Sequence, residues 1–157
     1  LSVSIDIAAP EGQAEVRRGR NWIARAIAAL IGFPKACAEI PVTVTLSPQA
    51  GGELWVRDFG GKVFSSTQHK GSGKNDYLLV ETFGIIAVAL ALVIDENRLF
   101  LIPRRWSCLG IPLPRALLPK GQSFETTRNG NFCFDVDIAA PLIGRIVAYR
   151  GELRPMD

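Results

Sequence analysis

Apolar and polar residues alternate along most of the chain, which is the pattern of strands with one buried face. The alternation is clear over 3–7, and it recurs from Ile40 onward in runs separated by glycine-containing turns. Gly60-Gly61 and Asn129-Gly130 each join two runs through residues that tolerate positive φ, so each predicts a hairpin. Successive hairpins predict an antiparallel sheet of roughly eight strands, which must curl, split or close to hide its edges.

One segment departs from this alternation and predicts a helix. Apolar residues recur at helical spacing between Asn21 and Ile31. Asn21 suits the N-cap, Gly32 suits a left-handed closing position, and Pro34 prevents continuation. Because Arg25 is the only charged residue inside it, this helix needs cover on nearly every side, from a wrapping sheet or from a membrane or partner surface. The predicted fold class is therefore α+β: mainly antiparallel β, strongly bent or barrel-like, with one apolar helix near Asn21–Ile31.

Length and composition indicate one ordinary globular domain. The 157 residues fit a single domain over 1–157, and the start at Leu1 leaves open whether this is a module of a longer chain. Hydrophobic residues make up 48% and charged residues 21%, so disorder is not expected. The net charge of +3, without aromatics interleaved among the basic residues, argues against nucleic-acid binding.

The three cysteines, Cys37, Cys108 and Cys133, are widely spaced and form no C-x-x-C pair. Each lies among apolar residues, which favours small buried side chains in a reducing compartment and hence a cytoplasmic location. A disulfide between two of them stays open at this stage. No apolar run is long enough to span a bilayer, but association with a membrane surface also stays open.

Motifs for catalysis, metals and cofactors are weak. His69 is the only histidine, and G-x-S-x-G is absent, so a serine triad and a zinc site are not expected. Gly71-Ser72-Gly73-Lys74 resembles part of a P-loop, but position 68 is Gln and position 75 is Asn where glycine and Ser or Thr are required. We therefore predict no catalytic residues, no metal and no cofactor.

A curled sheet would turn one face into a cavity, and polar side chains on the strands could line it. The alternative is that these side chains point outward in cross-strand pairs. Arg104 could replace Arg105, and Trp106 could replace Trp55. A carboxylate of Glu81 or Asp135 buried beside an arginine would favour an enzyme. The candidate ligand-binding residues are Trp55, Arg57, Glu81, Arg105, Asp135 and Tyr149.

Over roughly Glu15 to Arg154 the order of several short motifs resembles a bacterial domain-of-unknown-function family. Its members occur alone, behind saccharopine-dehydrogenase-like domains, and in YndJ-type membrane proteins. The resemblance implies an accessory module that accompanies an oxidoreductase or a membrane segment, and it implies no activity and no cofactor site. The motifs are Trp55-x-Arg57-x-Phe59-Gly60, Glu81-Thr82-Phe83-Gly84, Gly110-Ile111-Pro112-Leu113-Pro114, Phe132-x-Phe134-Asp135-Val136 and Tyr149-Arg150-Gly151-x-Leu153.

Three functions follow as hypotheses. The first is a non-enzymatic accessory domain that binds an apolar or amphipathic small ligand, because apolar strand residues are abundant, especially over 85–92. The second is a module that docks on a dehydrogenase-like or membrane partner through the helix and Arg17-Arg18-Gly19-Arg20. The third is an enzyme that uses Glu or Asp and Arg residues.

Overall fold

The computed structural model describes residues 10–155, and the strand predicted at 3–7 lies outside this range. Within it the chain forms one α-helix, eleven strands and two short 3-10 turns, at Gly73–Asn75 and Arg115–Leu117. The helix, α1, spans Trp22–Ile31. The strands are β1 (Glu11–Arg18), β2 (Cys37–Gln49), β3 (Gly52–Phe59), β4 (Lys62–Lys70), β5 (Leu79–Phe83), β6 (Ile86–Asp95), β7 (Arg98–Cys108), β8 (Ile111–Pro112), β9 (Ser123–Arg128), β10 (Asn131–Ala140) and β11 (Gly144–Arg154).

Ten of these strands close into a barrel. Their order is β6-β5-β4-β3-β2-β1-β11-β10-β9-β7, and the pairing of β6 with β7 closes the ring, while β8 extends β7 at the rim. The α+β, mainly antiparallel, barrel-like prediction is confirmed. The ring has ten strands, more than the roughly eight expected. Two-residue turns at 84–85 and 96–97 separate β5, β6 and β7.

Tight turns fix the register of the hairpins. Gly60 and Gly61 have φ of 58° and 97°, and Asn129 and Gly130 have φ of 52° and 79°. Positive φ at both central residues matches the turn twist to the strand twist, so both predicted hairpins are confirmed. The first turn places Arg57 opposite Phe64.

The predicted helix is confirmed together with both of its caps. The Asn21 side chain accepts a hydrogen bond from the Ile23 amide at 2.8 Å, and Gly32 closes the helix at φ 93°. Ala24 and Ala28 are fully buried where α1 packs on β11, because their small side chains allow close approach. The helix thus lies at the end of the barrel at which β1 ends and β2 begins, which we call the helix end.

An aromatic cluster fills part of the barrel interior. Phe59 stacks on Phe64 at 5.7 Å between ring centroids, and Tyr149 meets Phe59 edge-on at 5.4 Å. Phe33, in the link after α1, meets Phe64 edge-on at 5.2 Å. Arg18 holds this link in place, since its side chain donates to the carbonyl oxygens of residues 33 and 34.

All three cysteines are free thiols, so no disulfide joins them. The expectation that they are buried is wrong: Cys37 is exposed, and Cys108 and Cys133 are partly exposed. Cys133 alternates with Phe132 and Phe134 along β10, and the two bulky phenylalanines occupy the inner face. The cysteine is therefore left on the outer face.

Ala28→Leu is predicted to destabilise the protein by about 1–3 kcal/mol, because the larger side chain must enter a filled helix–sheet contact. Ala29→Leu is the matched control, since Ala29 is exposed on the same helix, and its effect should stay within about 0.5 kcal/mol. Urea unfolding measures both. Equal effects of the two substitutions would contradict this packing.

Candidate ligand-binding cavity

The barrel encloses a cavity of about 570 Å³. This volume lies within the range of roughly 300–1,000 Å³ typical of small-molecule sites. Its wall is mainly apolar, because the alternate residues of β6, β7 and β10 that point inward are mostly apolar. The apolar lining includes Ile27, Phe83, Val88, Leu90, Leu101, Phe132 and Val136.

A buried polar cluster interrupts this apolar wall. The Arg57 guanidinium donates to Ser66 Oγ at 2.8 Å and to Glu81 Oε1 at 3.2 Å. The Ser66 hydroxyl donates to the same Glu81 oxygen at 2.6 Å. The side chains of Arg57 and Glu81 are only 12% and 9% exposed. A buried charge pair is tolerated only with such hydrogen bonds, so these three side chains form one interdependent unit.

Strand register brings the cluster together. Arg57 lies on β3, and the short β3–β4 turn sets Ser66 opposite its neighbour Trp55 on the same face. Glu81 follows on β5, paired with Gln68 of β4. The Arg57 guanidinium also lies 5.3 Å from the Trp55 ring centroid and 5.4 Å from that of Phe64. These aromatic faces attract the cation and partly replace its lost hydration.

Two further polar groups belong to the same interior. Burial raises the pKa of Glu125, with Glu81 adding to the rise and Arg57 opposing it. Burial likewise raises the pKa of Tyr149 to about 12. Tyr149 is therefore a neutral hydrogen-bonding group at physiological pH. Within residues 10–155 the hydrogen bonds of the cluster join Arg57, Ser66 and Glu81, and none involves Glu125 or Tyr149.

The cavity opens at the helix end of the barrel. Leu30, Ile85 and Leu117 line the cavity and are also exposed to solvent. They belong to α1, the β5–β6 turn and the segment between β8 and β9. These three segments therefore frame the entrance.

Four of the six candidate residues meet at this cavity. Trp55, Arg57, Glu81 and Tyr149 all line it, as does Trp106. Asp135 does not line it, because it lies between Phe134 and Val136, whose side chains take the inner face of β10. Asp137, two residues further along β10, does line the cavity, and it also pairs with Arg145 at 3.2 Å.

Arg105 also lies away from the cluster. It pairs with Ala89 across the β6–β7 ladder, while its neighbour Trp106 lines the cavity. Its guanidinium donates to the Lys74 carbonyl oxygen at 2.6 Å. A register shift in this ladder between Ala89 and Leu90 alters the alternation that the sequence alone suggests.

Sequence reasoning missed Ser66 as a member of the polar cluster, and it missed Gln68 and Glu125 as residues that line the cavity. Phe64, Ser66 and Gln68 occupy every second position of β4 and therefore share one face, and Phe64 is buried. This period of two could have revealed Ser66 and Gln68. Glu125 carried no such signal, because it reaches the cluster from β9, on the far side of the ring. Only closure of the barrel brings it near Arg57.

The remaining motifs lie outside the cavity. His69 is exposed on β4 near the end opposite the helix, and Gly71-Ser72-Gly73-Lys74 forms the loop that follows. Among residues 10–155, no three or more His, Cys, Asp or Glu side chains gather in a way that could hold a metal ion. In the same range no helix has both the length and the apolar character needed to cross a membrane.

Comparison with known proteins identifies the family. The chain belongs to the family described as domain of unknown function (DUF4166), whose model matches residues 4–153. No curated protein and no solved structure matches the chain. The expected membership in a domain-of-unknown-function family is thus confirmed.

Glu81→Ala is predicted to lower the free energy of unfolding by roughly 3 kcal/mol, since it leaves the buried Arg57 charge unpaired. Asp137→Ala is the matched control, because its ion pair has the same 3.2 Å distance but side chains that are 42% and 33% exposed. That control should cost at most about 1 kcal/mol. Urea unfolding that ranks the two substitutions equally would contradict the burial of the cluster.

Glu125→Gln is predicted to change the pH dependence of stability. Because the folded pKa of Glu125 lies above the ordinary value of 4.5, ionisation costs more in the folded state. Folding stability is therefore lost as the pH rises from the ordinary pKa of a glutamate through the raised pKa of folded Glu125. Removing this titration should make the unfolding free energy of the variant, relative to the wild type, rise over that interval.

Glu15→Gln provides a control of opposite sign. The hydrogen bond from Arg150 lowers the pKa of Glu15. The contribution of Glu15 to folding stability is therefore present above the ordinary pKa of a glutamate, and it is lost as the pH falls through the lowered pKa. The relative stability of this variant should therefore decrease as the pH rises. Urea unfolding at a series of pH values measures both slopes, and a flat or falling slope for Glu125→Gln would refute the assignment.

Proposed function

We propose that this domain binds one apolar or amphipathic small molecule inside its barrel. The observation that carries the proposal is the cavity of about 570 Å³, with a mainly apolar wall, one polar cluster and an entrance at the helix end. Sites for small organic ligands combine these features. The apolar wall would hold the body of the ligand, and the polar cluster would hold its polar end.

The charge balance of the cluster favours a ligand whose polar end is uncharged. Glu81 already offsets the positive charge of Arg57 at 3.2 Å, and Tyr149 is neutral. An anionic ligand would add a further negative charge near the carboxyl groups of Glu81 and Glu125, in a poorly solvated space. A hydroxyl or carbonyl group could instead accept from Tyr149 or from the remaining Arg57 N–H groups.

An enzyme is a second candidate, because Glu81 is indeed buried beside an arginine and Glu125 has a raised pKa. Such groups are typical of acid–base sites. Against this, Glu81 Oε1 already accepts from both Ser66 and Arg57, which leaves only Oε2 for contact with a substrate. Glu125 would be the proton donor or acceptor in this alternative.

The setting of this activity is part of the same proposal. We expect an accessory module of a bacterial protein that works in the cytoplasm, beside a saccharopine-dehydrogenase-like domain or a membrane segment. The resemblance to that family supports the partners. The three free thiols support a reducing compartment.

Val88→Trp is predicted to weaken binding of the uncharged apolar dye Nile red by about tenfold or more, because the indole fills the cavity beside the polar cluster. Val93→Trp is the matched control on the same strand, since Val93 is 41% exposed and Val88 only 9%. Fluorescence titration measures both variants after circular dichroism has shown that they fold. Equal binding by both variants would refute a cavity site.

Competition against Nile red tests the polar end. We expect 1-dodecanol to displace the dye at lower concentration than dodecanoate, and the reverse order would contradict an uncharged polar end. Native mass spectrometry of the purified protein then identifies any molecule retained from the cell. Recovery of an added ligand in chemically altered form would favour the enzyme.

A further inference from the structure

The helix end of the barrel exposes an unusual set of large apolar side chains. They lie on α1, on the turns β5–β6, β7–β8 and β10–β11, and on the segment between β8 and β9, all of which are at this end. We call this set the apolar rim. Its principal members are Trp22, Leu30, Ile85, Leu109, Leu117 and Leu142.

Two rim leucines occupy backbone positions that suit glycine better. Leu109 has φ 51° and Leu142 has φ 71°, in the left-handed region that costs an L-residue about 1 kcal/mol or more. Their side chains are 72% and 98% exposed, so packing within the domain does not compensate this cost. Each leucine thus strains its turn while directing an apolar side chain into solvent.

Exposed basic residues also lie on segments at the helix end of the barrel. Six exposed ones lie on α1, on the adjoining links and turns, and on the segment before β9; they are Arg20, Arg25, Lys35, Lys62, Arg115 and Lys120. Acidic residues at this end are fewer, and Asp137 is already paired with Arg145. The opposite end mixes both signs, with Asp95 and Glu96 beside Arg98.

From this combination we infer that the helix end docks on the surface of an anionic lipid bilayer. Apolar side chains at loop tips enter the headgroup region, and a surrounding ring of Lys and Arg is attracted to anionic lipids. Because the cavity entrance lies within the apolar rim, docking would face it toward the lipid. If the proposed ligand binding is correct, an apolar ligand could then pass between bilayer and barrel without crossing water.

Vesicle flotation of the whole protein tests the inference directly. We expect binding to vesicles of equimolar phosphatidylcholine and phosphatidylglycerol, with weaker binding as salt increases. Binding to phosphatidylcholine vesicles should be much weaker. Absence of binding to the anionic vesicles, or equal binding to both compositions, would overturn the inference and leave a protein partner as the occupant of this face.

Leu109→Gly/Leu142→Gly identifies the docking face. Removing two inserted leucines should lower partitioning onto anionic vesicles by roughly tenfold or more, while relief of the left-handed strain should leave folding stability unchanged or raised. Tyr77→Gly is the matched control, because Tyr77 is also strained, at φ 66°, and 94% exposed, but lies at the opposite end. Equal losses for the control, or none for the double variant, would refute this face.

Tryptophan fluorescence provides a second measurement of orientation. Trp22 lies on the rim, and its indole should leave water on docking, which shifts its emission to shorter wavelength. Trp22→Phe should abolish most of this shift. A shift that persists in Trp22→Phe would contradict the proposed orientation. Nile red binding without vesicles separates this outcome from failure of the proposed cavity function.

Discussion

The width of the closed barrel is the constraint on which the rest of the structure depends. About eight strands give an interior that side chains can just fill, and the diameter grows with strand number. This ring has ten, so its inward side chains leave space even though many are large. The aromatic cluster of Phe59, Phe64 and Tyr149 fills one part of the interior. The mainly apolar wall from β6, β7 and β10 surrounds the remainder.

The polar cluster follows from this incomplete filling. A solid apolar core would not accommodate Arg57 and Glu81, whereas the wall of a cavity can hold them if each is paired and hydrogen-bonded. Ser66 and the faces of Trp55 and Phe64 complete their surroundings. The cluster thus places a paired, hydrogen-bonded set of polar side chains in the wall of a mainly apolar interior.

Much of the fold was predictable because its signals are local. Asn21 and Gly32 bound the helix, and Gly60-Gly61 and Asn129-Gly130 set hairpins, through backbone preferences that act over a few residues. Trp55 and Arg57 were predictable as cavity residues because they lie two residues apart on β3 and therefore share one face of that strand. These features need no knowledge of the closed ring.

The rest of the site depends on non-local geometry. The register shift between Ala89 and Leu90 changed the face that Arg105 occupies, and Asp135 faces outward because Phe134 and Val136 compete more strongly for the interior. Glu125 comes near the cluster only through closure of the ring. The rim at the helix end likewise became visible only once the turns carrying Leu109 and Leu142 were placed at one end.

The most direct test of an open interior is methyl NMR of the protein while 1-dodecanol is added. If the interior is open, methyl resonances of the cavity wall, such as those of Val88, Leu101 and Val136, should shift and saturate together. Those of Val93 on the outer face should not move. Wall resonances that stay fixed while the alcohol is in excess would show that the barrel is filled and would contradict the account.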